Sequence, residues 1–312
     1  MKIVVNGYGV FLGAKNGMVC IRNEGKEKTI ALGNLSQVVV ASGGVVVSSS
    51  LLRLLSENNV DLIVLNSNGS LAGTFHPVYR KANVLVRKEQ YRAQKDERGL
   101  FLAKCFVRGK IMNQYYFLRS LVRSKGKKCK ESYYEIRRRC EELDSCRSQK
   151  EIIGVEAKAA EVYWKTISEF YDIDGRRKRY NNPDPMNMAL NYGYSVLMSV
   201  VSLAVDSTNL DPFAGFLHVE NPRRPALVVD LMEEFRQPVV DKAVLRVTPE
   251  VKDGLLTRDT RREILDNLFK RLDKRVTFNG RKLPIEYHIH LQARRIERFL
   301  LGKENYTPFV QR

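Results

Sequence analysis

Two carboxylates in the last third of the chain have a spacing that suits chemistry. Asp230 and Glu233 are three residues apart, so on a helix both side chains point the same way. An Asp-x-x-Glu pair directly after an apolar run is equally typical of a helix start, where both groups cap the first turn. The spacing alone leaves the two interpretations open.

Two further polar residues stand in apolar surroundings. Glu156 shares a predicted helix face with Ile153, Ala160 and Tyr163. A buried carboxylate there needs a cation, a hydrogen-bond network or a metal; the alternative is a glutamate at the edge of the apolar stripe that reaches water. His218 follows an apolar run, where a single histidine is typically a core residue and becomes a ligand candidate only with partners. Tyr163 either contacts a substrate or packs in the core.

One histidine with two or three carboxylates is a ligand set that suits Mg²⁺ or Mn²⁺. Such an ion stabilises negative charge on a phosphoryl group under attack. These residues therefore become a candidate site for phosphodiester chemistry if the fold brings them together.

The charge balance points to a polyanionic partner. Lys and Arg number 53 against 35 Asp and Glu, a formal net charge of +18, and each phosphate that such residues neutralise releases condensed counterions. A basic enzyme with no nucleic-acid partner is the alternative, and membrane-surface binding is disfavoured because no basic amphipathic helix stands out. Two basic groups are expected to grip phosphates: Lys104, Arg108, Lys110 and Arg119 on a predicted helix, and Arg176, Arg177, Lys178 and Arg179 in a predicted loop.

The cysteines and the apolar segments indicate the compartment. Five cysteines without Cys-x-x-Cys spacing are typical of buried thiols in a reducing compartment and argue against a structural zinc site. No apolar segment has the length of a membrane span, and the N-terminus lacks a signal-peptide core. We therefore expect a cytoplasmic protein without a membrane partner.

Residues 1–85 have the pattern of a β-rich domain. Short apolar runs are separated by Gly- and Asn-rich turns such as Asn16-Gly17, and a short helix over 51–57 is capped by the serines at 48–50. The pattern predicts a small β-sandwich with one inserted helix, with strands over 3–5, 10–12, 18–22, 29–32, 38–40, 60–65 and 71–75.

Residues 86–312 change to helical periodicity after a short hinge near His76-Pro77. Leu100, Ala103, Val107 and Ile111 fall on one helical face. Later helices are predicted over 131–147, 150–172, 187–206, 230–240, 258–274 and 281–301. The expected fold class is α+β, with an N-terminal β-sandwich-like domain followed by a larger all-α domain.

Four ordered motifs and their separations carry a family resemblance. They are Gly-x-Glu-x-x-Ala-Ala-x-x-Tyr-Trp (154–164), Asp-Pro-x-Asn-x-x-Leu-Asn-Tyr-Gly-Tyr (184–194), Asp-Pro-x-x-Gly-Phe-Leu-His (211–218) and Asp-Leu-Met-Glu-Glu-Phe-Arg (230–236). This order resembles the first CRISPR-associated protein family, the endonuclease and integrase of spacer acquisition. The likeness covers nearly the whole chain and includes 106–114, 292–302 and Pro308-Phe309.

The resemblance implies a site and an activity. Glu156, His218 and Glu233 would hold a divalent ion, Mg²⁺ or Mn²⁺, with Asp230 as a supporting acid; some family members have Asp where this chain has Glu233. The reaction would be transesterification, in which the 3′-hydroxyl of a new spacer attacks a phosphodiester at the repeat border. Water in place of that hydroxyl would give metal-dependent DNA cleavage.

The resemblance also implies partners. They are double-stranded or branched DNA, a second copy of the chain held largely through the N-terminal halves, and the small second CRISPR-associated protein, which would bridge two dimers in a heterohexamer. Two alternatives stay open. A non-catalytic DNA-organising protein needs only the basic charge, and composition does not exclude an RNA nuclease.

Overall fold

The computed structural model describes residues 2–312 except 34, 36, 59, 67, 68, 70, 76–82, 126–129, 174–183 and 219–223. The chain divides into two compact units, Met1–Ala82 and Asn83–Arg312. The predicted hinge at His76-Pro77 lies outside the described residues.

The first unit consists of two four-stranded sheets and one helix. Its elements are β1 (Lys2–Val5), β2 (Val10–Lys15), β3 (Met18–Asn23), β4 (Lys26–Ile30), β5 (Gln37–Val40), β6 (Val45–Val47), α1 (Ser49–Glu57), β7 (Asp61–Leu65) and β8 (Leu71–Phe75). One sheet has the order β1-β5-β7-β8 and the other β4-β3-β2-β6. In the first sheet β1, β5 and β7 are parallel, with Ile3 opposite Val38 and Val38 opposite Leu62.

One apolar core joins both sheets and the helix of this unit. Leu12 of β2, Val38 of β5 and Leu51 and Leu55 of α1 are all fully buried, because alternate residues of a strand face one side and α1 covers the core with its leucine face. Ser48 caps α1 by accepting a hydrogen bond from the Leu51 amide at 3.2 Å. The predicted sandwich with one inserted helix is confirmed.

The second unit is mainly helical. Its elements are α2 (Val84–Ala93), α3 (Glu97–Lys125), α4 (Lys130–Ser145), α5 (Gln149–Ser168), α6 (Pro185–Asp206), α7 (Ala226–Met232), a π-helix (Arg236–Asp241), α8 (Lys242–Val244), β9 (Val251–Lys252), β10 (Leu255–Leu256), α9 (Arg258–Leu272), β11 (Arg275–Phe278), β12 (Arg281–Pro284) and α10 (Ile285–Leu300). The mixed α+β class predicted from the sequence is confirmed.

Two β-hairpins depart from the prediction of an all-α second domain. β9 pairs with β10 and β11 pairs with β12. Their turns contain Asp253-Gly254 and Asn279-Gly280, and all four of these residues have positive φ, the conformation that two-residue hairpin loops require. The predicted helix over 281–301 therefore begins only at Ile285.

The α6 helix is the most apolar element. By length and composition it is long enough to cross a membrane, but 78% of its most apolar window is buried inside the protein. Asp184 caps it by accepting from the Asn187 amide at 2.8 Å, and Pro185 occupies its first turn. Such burial is typical of the central helix of a helical domain.

Candidate metal and DNA site

Three helices bring two of the predicted carboxylates to one ammonium group. Glu156 extends from α5, and Glu233 directly follows α7. Lys110 of α3 forms ion pairs with both, through Glu156 Oε1 and through Glu233 Oε2, the latter at 2.7 Å. Glu156 therefore lies against a cation, with 23% of its side chain exposed, rather than extending freely into water.

The Glu233 carboxylate is held between two cations. Its Oε1 lies 2.8 Å from an Arg236 guanidinium nitrogen. Its Oε2 contacts Lys110 Nζ but is buried without a partner in hydrogen-bond geometry among the described residues. Burial raises the pKa of Glu233, but Arg236, Lys110 and His218 outweigh it and lower the pKa to about 2. Glu233 is therefore ionised at neutral pH, with one oxygen that is incompletely satisfied.

The two carboxylates in turn stabilise the charged form of Lys110. Burial lowers the pKa of Lys110, but the charges of Glu233 and Glu156 outweigh that effect and hold the pKa above its usual value. Lys110 is therefore an ammonium ion at neutral pH.

Asp230 fixes the position of His218. Its fully buried carboxylate accepts hydrogen bonds from the backbone amides of Phe216, Leu217 and His218 at 2.6, 2.9 and 3.1 Å. The same group lies 2.7 Å from Nδ1 of the His218 ring. A carboxylate at Nδ1 sets the tautomer and ring orientation of a histidine and leaves Nε2 as its ligand atom.

Gly215 permits this approach. A Cβ at position 215 would lie 2.9 Å from Asp230 Oδ2 and 2.7 Å from the Cβ of Ala226, closer than such atoms pack. Any side chain there would therefore displace the loop from the Asp230 carboxylate.

The structure excludes the helix-capping interpretation of Asp230 and Glu233. The α7 helix begins at Ala226, and its N-cap, Pro225, makes no side-chain cap bond. Asp230 therefore lies inside the helix and Glu233 at its end. After a turn over 233–235 the chain enters the π-helix, a rare form that is frequent at functional sites. Pro238 inside it has no amide hydrogen to donate.

The carboxylates and the imidazole are of the types that bind a divalent ion, but the described residues do not group three of them around one point. Two carboxylates meet at one cation, one buried oxygen of Glu233 has no hydrogen-bond partner among the described residues, and Asp230 orients the His218 imidazole. Across the part of the chain that the structure describes, however, no three His, Cys, Asp or Glu side chains are grouped to hold a metal ion. The Lys110 ammonium lies between the two carboxylates.

Glu234 is a buried residue that the sequence analysis did not single out. Its carboxylate accepts from Tyr306 Oη at 2.6 Å, from the Phe309 amide at 2.8 Å and from Gln292 Nε2 at 2.9 Å. Burial raises its pKa to about 8, against the effect of these donors. Asn113 donates to the carbonyls of Glu234 and Phe309, so this network attaches the C-terminal segment to the helices beneath the candidate site.

Tyr163 is a core residue. It is fully buried, and its hydroxyl donates to Asp241 Oδ2 at 2.7 Å. Of the two interpretations that the sequence left open, the structure supports packing.

The predicted basic residues of α3 do not share one face. Lys104 and Arg108 both contact Asp144, whereas Lys110 is buried with the carboxylates. Arg108 follows Lys104 by four residues, which rotates the helix by only about 40°, so these two share a face. Lys110 follows Lys104 by six residues, a rotation of about 240°. The prediction that Lys110 belongs to the same exposed basic face is therefore wrong. Arg119 is half-buried. The predicted phosphate-gripping loop, Arg176, Arg177, Lys178 and Arg179, lies outside the described residues.

Four of the five cysteines, Cys20, Cys105, Cys140 and Cys146, are free and buried as predicted. Cys129 lies outside the described residues. Burial raises the pKa of the Cys105 thiol to about 12, so it is protonated at neutral pH.

This chain is similar to three known proteins, one in sequence and two in structure, and it matches one family. The chain is 36% identical to the CRISPR-associated endonuclease Cas1 1 of Archaeoglobus fulgidus, over 100% of both chains. A solved casposase bound to integration product is 26% identical, with a TM-score of 0.82 over 98% of this chain and 92% of that one. A Cas6-RT-Cas1–Cas2 complex shares the fold, with a TM-score of 0.74 at 18% identity over 99% of this chain and 36% of that one.

The sequence model described as "CRISPR associated protein Cas1" matches residues 3–267. That match covers most of the chain and includes every residue of the candidate site, and the chain therefore belongs to the Cas1 family of CRISPR-associated proteins.

Proposed function

We propose that this protein is a divalent-metal-dependent DNA endonuclease and integrase that inserts new spacers into a CRISPR array by transesterification. One observation carries the proposal: the Glu156 and Glu233 carboxylates converge on a single cation, and Asp230, three residues before Glu233, orients the His218 ring. The endonuclease name of the Archaeoglobus relative and the integration product of the casposase support the reaction class.

Each residue of the site has a distinct part in this proposal. Glu156, Glu233 and the neutral imidazole of His218 would hold Mg²⁺ or Mn²⁺. Asp230 is a positioning residue, because it fixes the His218 ring and the loop beneath it. Arg236 holds the Oε1 side of Glu233 and thereby directs Oε2 into the site. The bound ion would stabilise the extra negative charge that the phosphate gains under attack.

DNA would be held by the basic residues outside the metal site. A net charge of +18 favours phosphate contacts, and Lys104, Arg108, Arg119 and the segment 176–179 are the proposed contacts. We further propose a cytoplasmic homodimer formed through the N-terminal units that assembles with Cas2, a partner present in the Cas6-RT-Cas1–Cas2 complex.

The experiment is a joining and cleavage assay on a labelled branched DNA, with an RNA of equal length beside it. Purified protein is incubated with Mn²⁺ and, in a parallel reaction, with Mn²⁺ plus excess EDTA. We expect DNA products that carry a new 3′–5′ junction, lost with EDTA, and no RNA products. Equal cleavage of RNA would contradict the integrase assignment and favour an RNA nuclease.

One observation favours a second candidate, a non-catalytic DNA-organising protein. Lys110 and Arg236 together already balance the two carboxylates, and within the described ranges no three potential ligands are grouped for a metal. DNA binding without any metal-dependent product in the same assay would support this candidate and overturn the enzyme assignment.

A further inference from the structure

Lys110 occupies an unusual position for a lysine. Its side chain is only 11% exposed, and its single ammonium contacts carboxylates from two different elements, Glu156 on α5 and Glu233 after α7. A buried carboxylate and a partly exposed one that share a single cation would repel each other without that cation between them. The Lys110 ammonium thus supplies, from within the chain, the positive charge that the acidic pair requires.

The two cations of the site are held in different ways. The Arg236 guanidinium pairs with Glu233 Oε1 and also lies over the Tyr194 ring, 4.8 Å from its centroid, so its plane is fixed on two sides. The ammonium of Lys110 is a point charge on a flexible four-carbon stem. It donates a hydrogen bond to Glu156 Oε1, whereas its 2.7 Å contact with Glu233 Oε2 is an ion pair without hydrogen-bond geometry. Of the two cations, Lys110 is therefore the less constrained.

We propose that Lys110 is an exchangeable internal counter-ion, which keeps Glu156 and Glu233 together in the metal-free protein and is displaced when a divalent ion binds. The inference rests on the metal site of the proposed function. A divalent ion held by Glu156 and Glu233 would draw on the same carboxylates that Lys110 pairs with, so the ammonium and the ion would compete for them. Glu156 and His218 are partly exposed, with 23% and 37% of their side chains accessible. An ion can therefore reach these side chains from solvent.

Competition has a defined thermodynamic consequence. If the ammonium and the metal exclude each other, removing the ammonium strengthens metal binding, and adding metal weakens the Lys110 contacts to the same extent. The lysine thereby lowers the affinity for the metal, and in the metal-free protein it offsets the repulsion between the Glu156 and Glu233 carboxylates. A lysine that only supports the fold would leave metal affinity unchanged.

The test is calorimetric titration of Mn²⁺ into three chelator-treated proteins without DNA. They are the wild type, Lys110→Met, and the matched control Lys158→Met, an exposed lysine on the same helix as Glu156. We expect Lys110→Met to bind Mn²⁺ at least about tenfold more tightly than the wild type, because a buried competing charge is gone. The control is expected to equal the wild type.

A melting experiment gives a second readout. In EDTA, Lys110→Met should melt below the wild type, since Glu156 loses its ion-pair partner and Glu233 loses one of its two, and Mn²⁺ should raise its Tm more than that of the wild type. Lys110→Gln, which retains a hydrogen-bond donor, replaces Lys110→Met if the latter does not fold without metal, with the same expectation.

The outcomes separate the two ideas. Equal or weaker Mn²⁺ binding by the Lys110 variant would overturn the counter-ion role while leaving the metal site intact. Absence of Mn²⁺ binding by every protein, the wild type included, would overturn the metal site of the proposed function together with this inference.

Discussion

Replacing Glu156 with glutamine is expected to slow the metal-dependent joining and cleavage of DNA by at least about 100-fold. Loss of groups that merely orient metal ligands costs about 10- to 100-fold, and Glu156 is proposed as a direct ligand. The amide has the same size but no negative charge, so it is a far weaker ligand for Mg²⁺ or Mn²⁺. The measurement is the initial rate of junction formation under Mn²⁺.

The protein fold should survive this change. Glutamine can still accept a hydrogen bond from Lys110, and the site at Glu156 is open to solvent on one side. Circular dichroism and DNA affinity are therefore expected to match the wild type. Glu161→Gln, an exposed position on the same helix, is the control and should retain full activity. Full activity in Glu156→Gln would remove Glu156 from the proposed metal site.

Replacing Glu234 with alanine is expected to lower the free energy of unfolding by about 3–5 kcal/mol. The change leaves two buried donors, the Tyr306 hydroxyl and the Phe309 backbone amide, without their acceptor, while Gln292 Nε2 keeps the Thr307 carbonyl. Each buried donor that loses its partner costs about 1–3 kcal/mol, and the lost volume adds to this. Urea denaturation followed by circular dichroism measures the difference.

Glu304→Ala is the matched control for this prediction. Glu304 also has two partners, Arg295 and Arg298, but its side chain is 35% exposed, and exposed ion pairs contribute about 0–1 kcal/mol. A loss in Glu234→Ala no larger than that in Glu304→Ala would show that the C-terminal segment does not depend on the Glu234 network.

Sequence periodicity predicted the elements whose burial follows a simple repeat. The helices that carry Leu51 and Glu156 repeat every three to four residues, and Ile3 and Val5 alternate with the exposed Val4. The strand around Val38 is instead buried along its whole length and was predictable as a short apolar run between turns. The hairpin at Asn279-Gly280 carried an equally strong local signal. The helix predicted over 281–301 included the second strand of this hairpin, Arg281–Pro284, and its start was therefore wrong by four residues.

The candidate site was predictable in its donors but not in its counter-ions. Asp230 and Glu233 were visible as a spaced pair, and the family motifs added Glu156 and His218. No local pattern shows that Lys110, 46 residues before Glu156, meets both carboxylates, because that contact depends on how three helices pack. The same limit applies to Glu234, whose donors follow it by 58 to 75 residues.

The π-helix after Glu233 was also beyond local prediction. A continuous helix over 230–240 satisfies the apolar pattern, yet Pro238 cannot donate the amide bond that a regular helix would use. The wider turn places Arg236 against Glu233 and the Tyr194 ring, and this contact is what orients the carboxylate.

The central claim is that Glu156, His218 and Glu233 hold one divalent ion. The most direct measurement is diffraction from crystals of the wild-type protein soaked in Mn²⁺, with data collected at the manganese absorption edge. The proposal predicts one strong anomalous peak within coordination distance of all three side chains, with the Lys110 ammonium moved away. A peak at other residues, or no peak while Lys110 still bridges the two carboxylates, would contradict it.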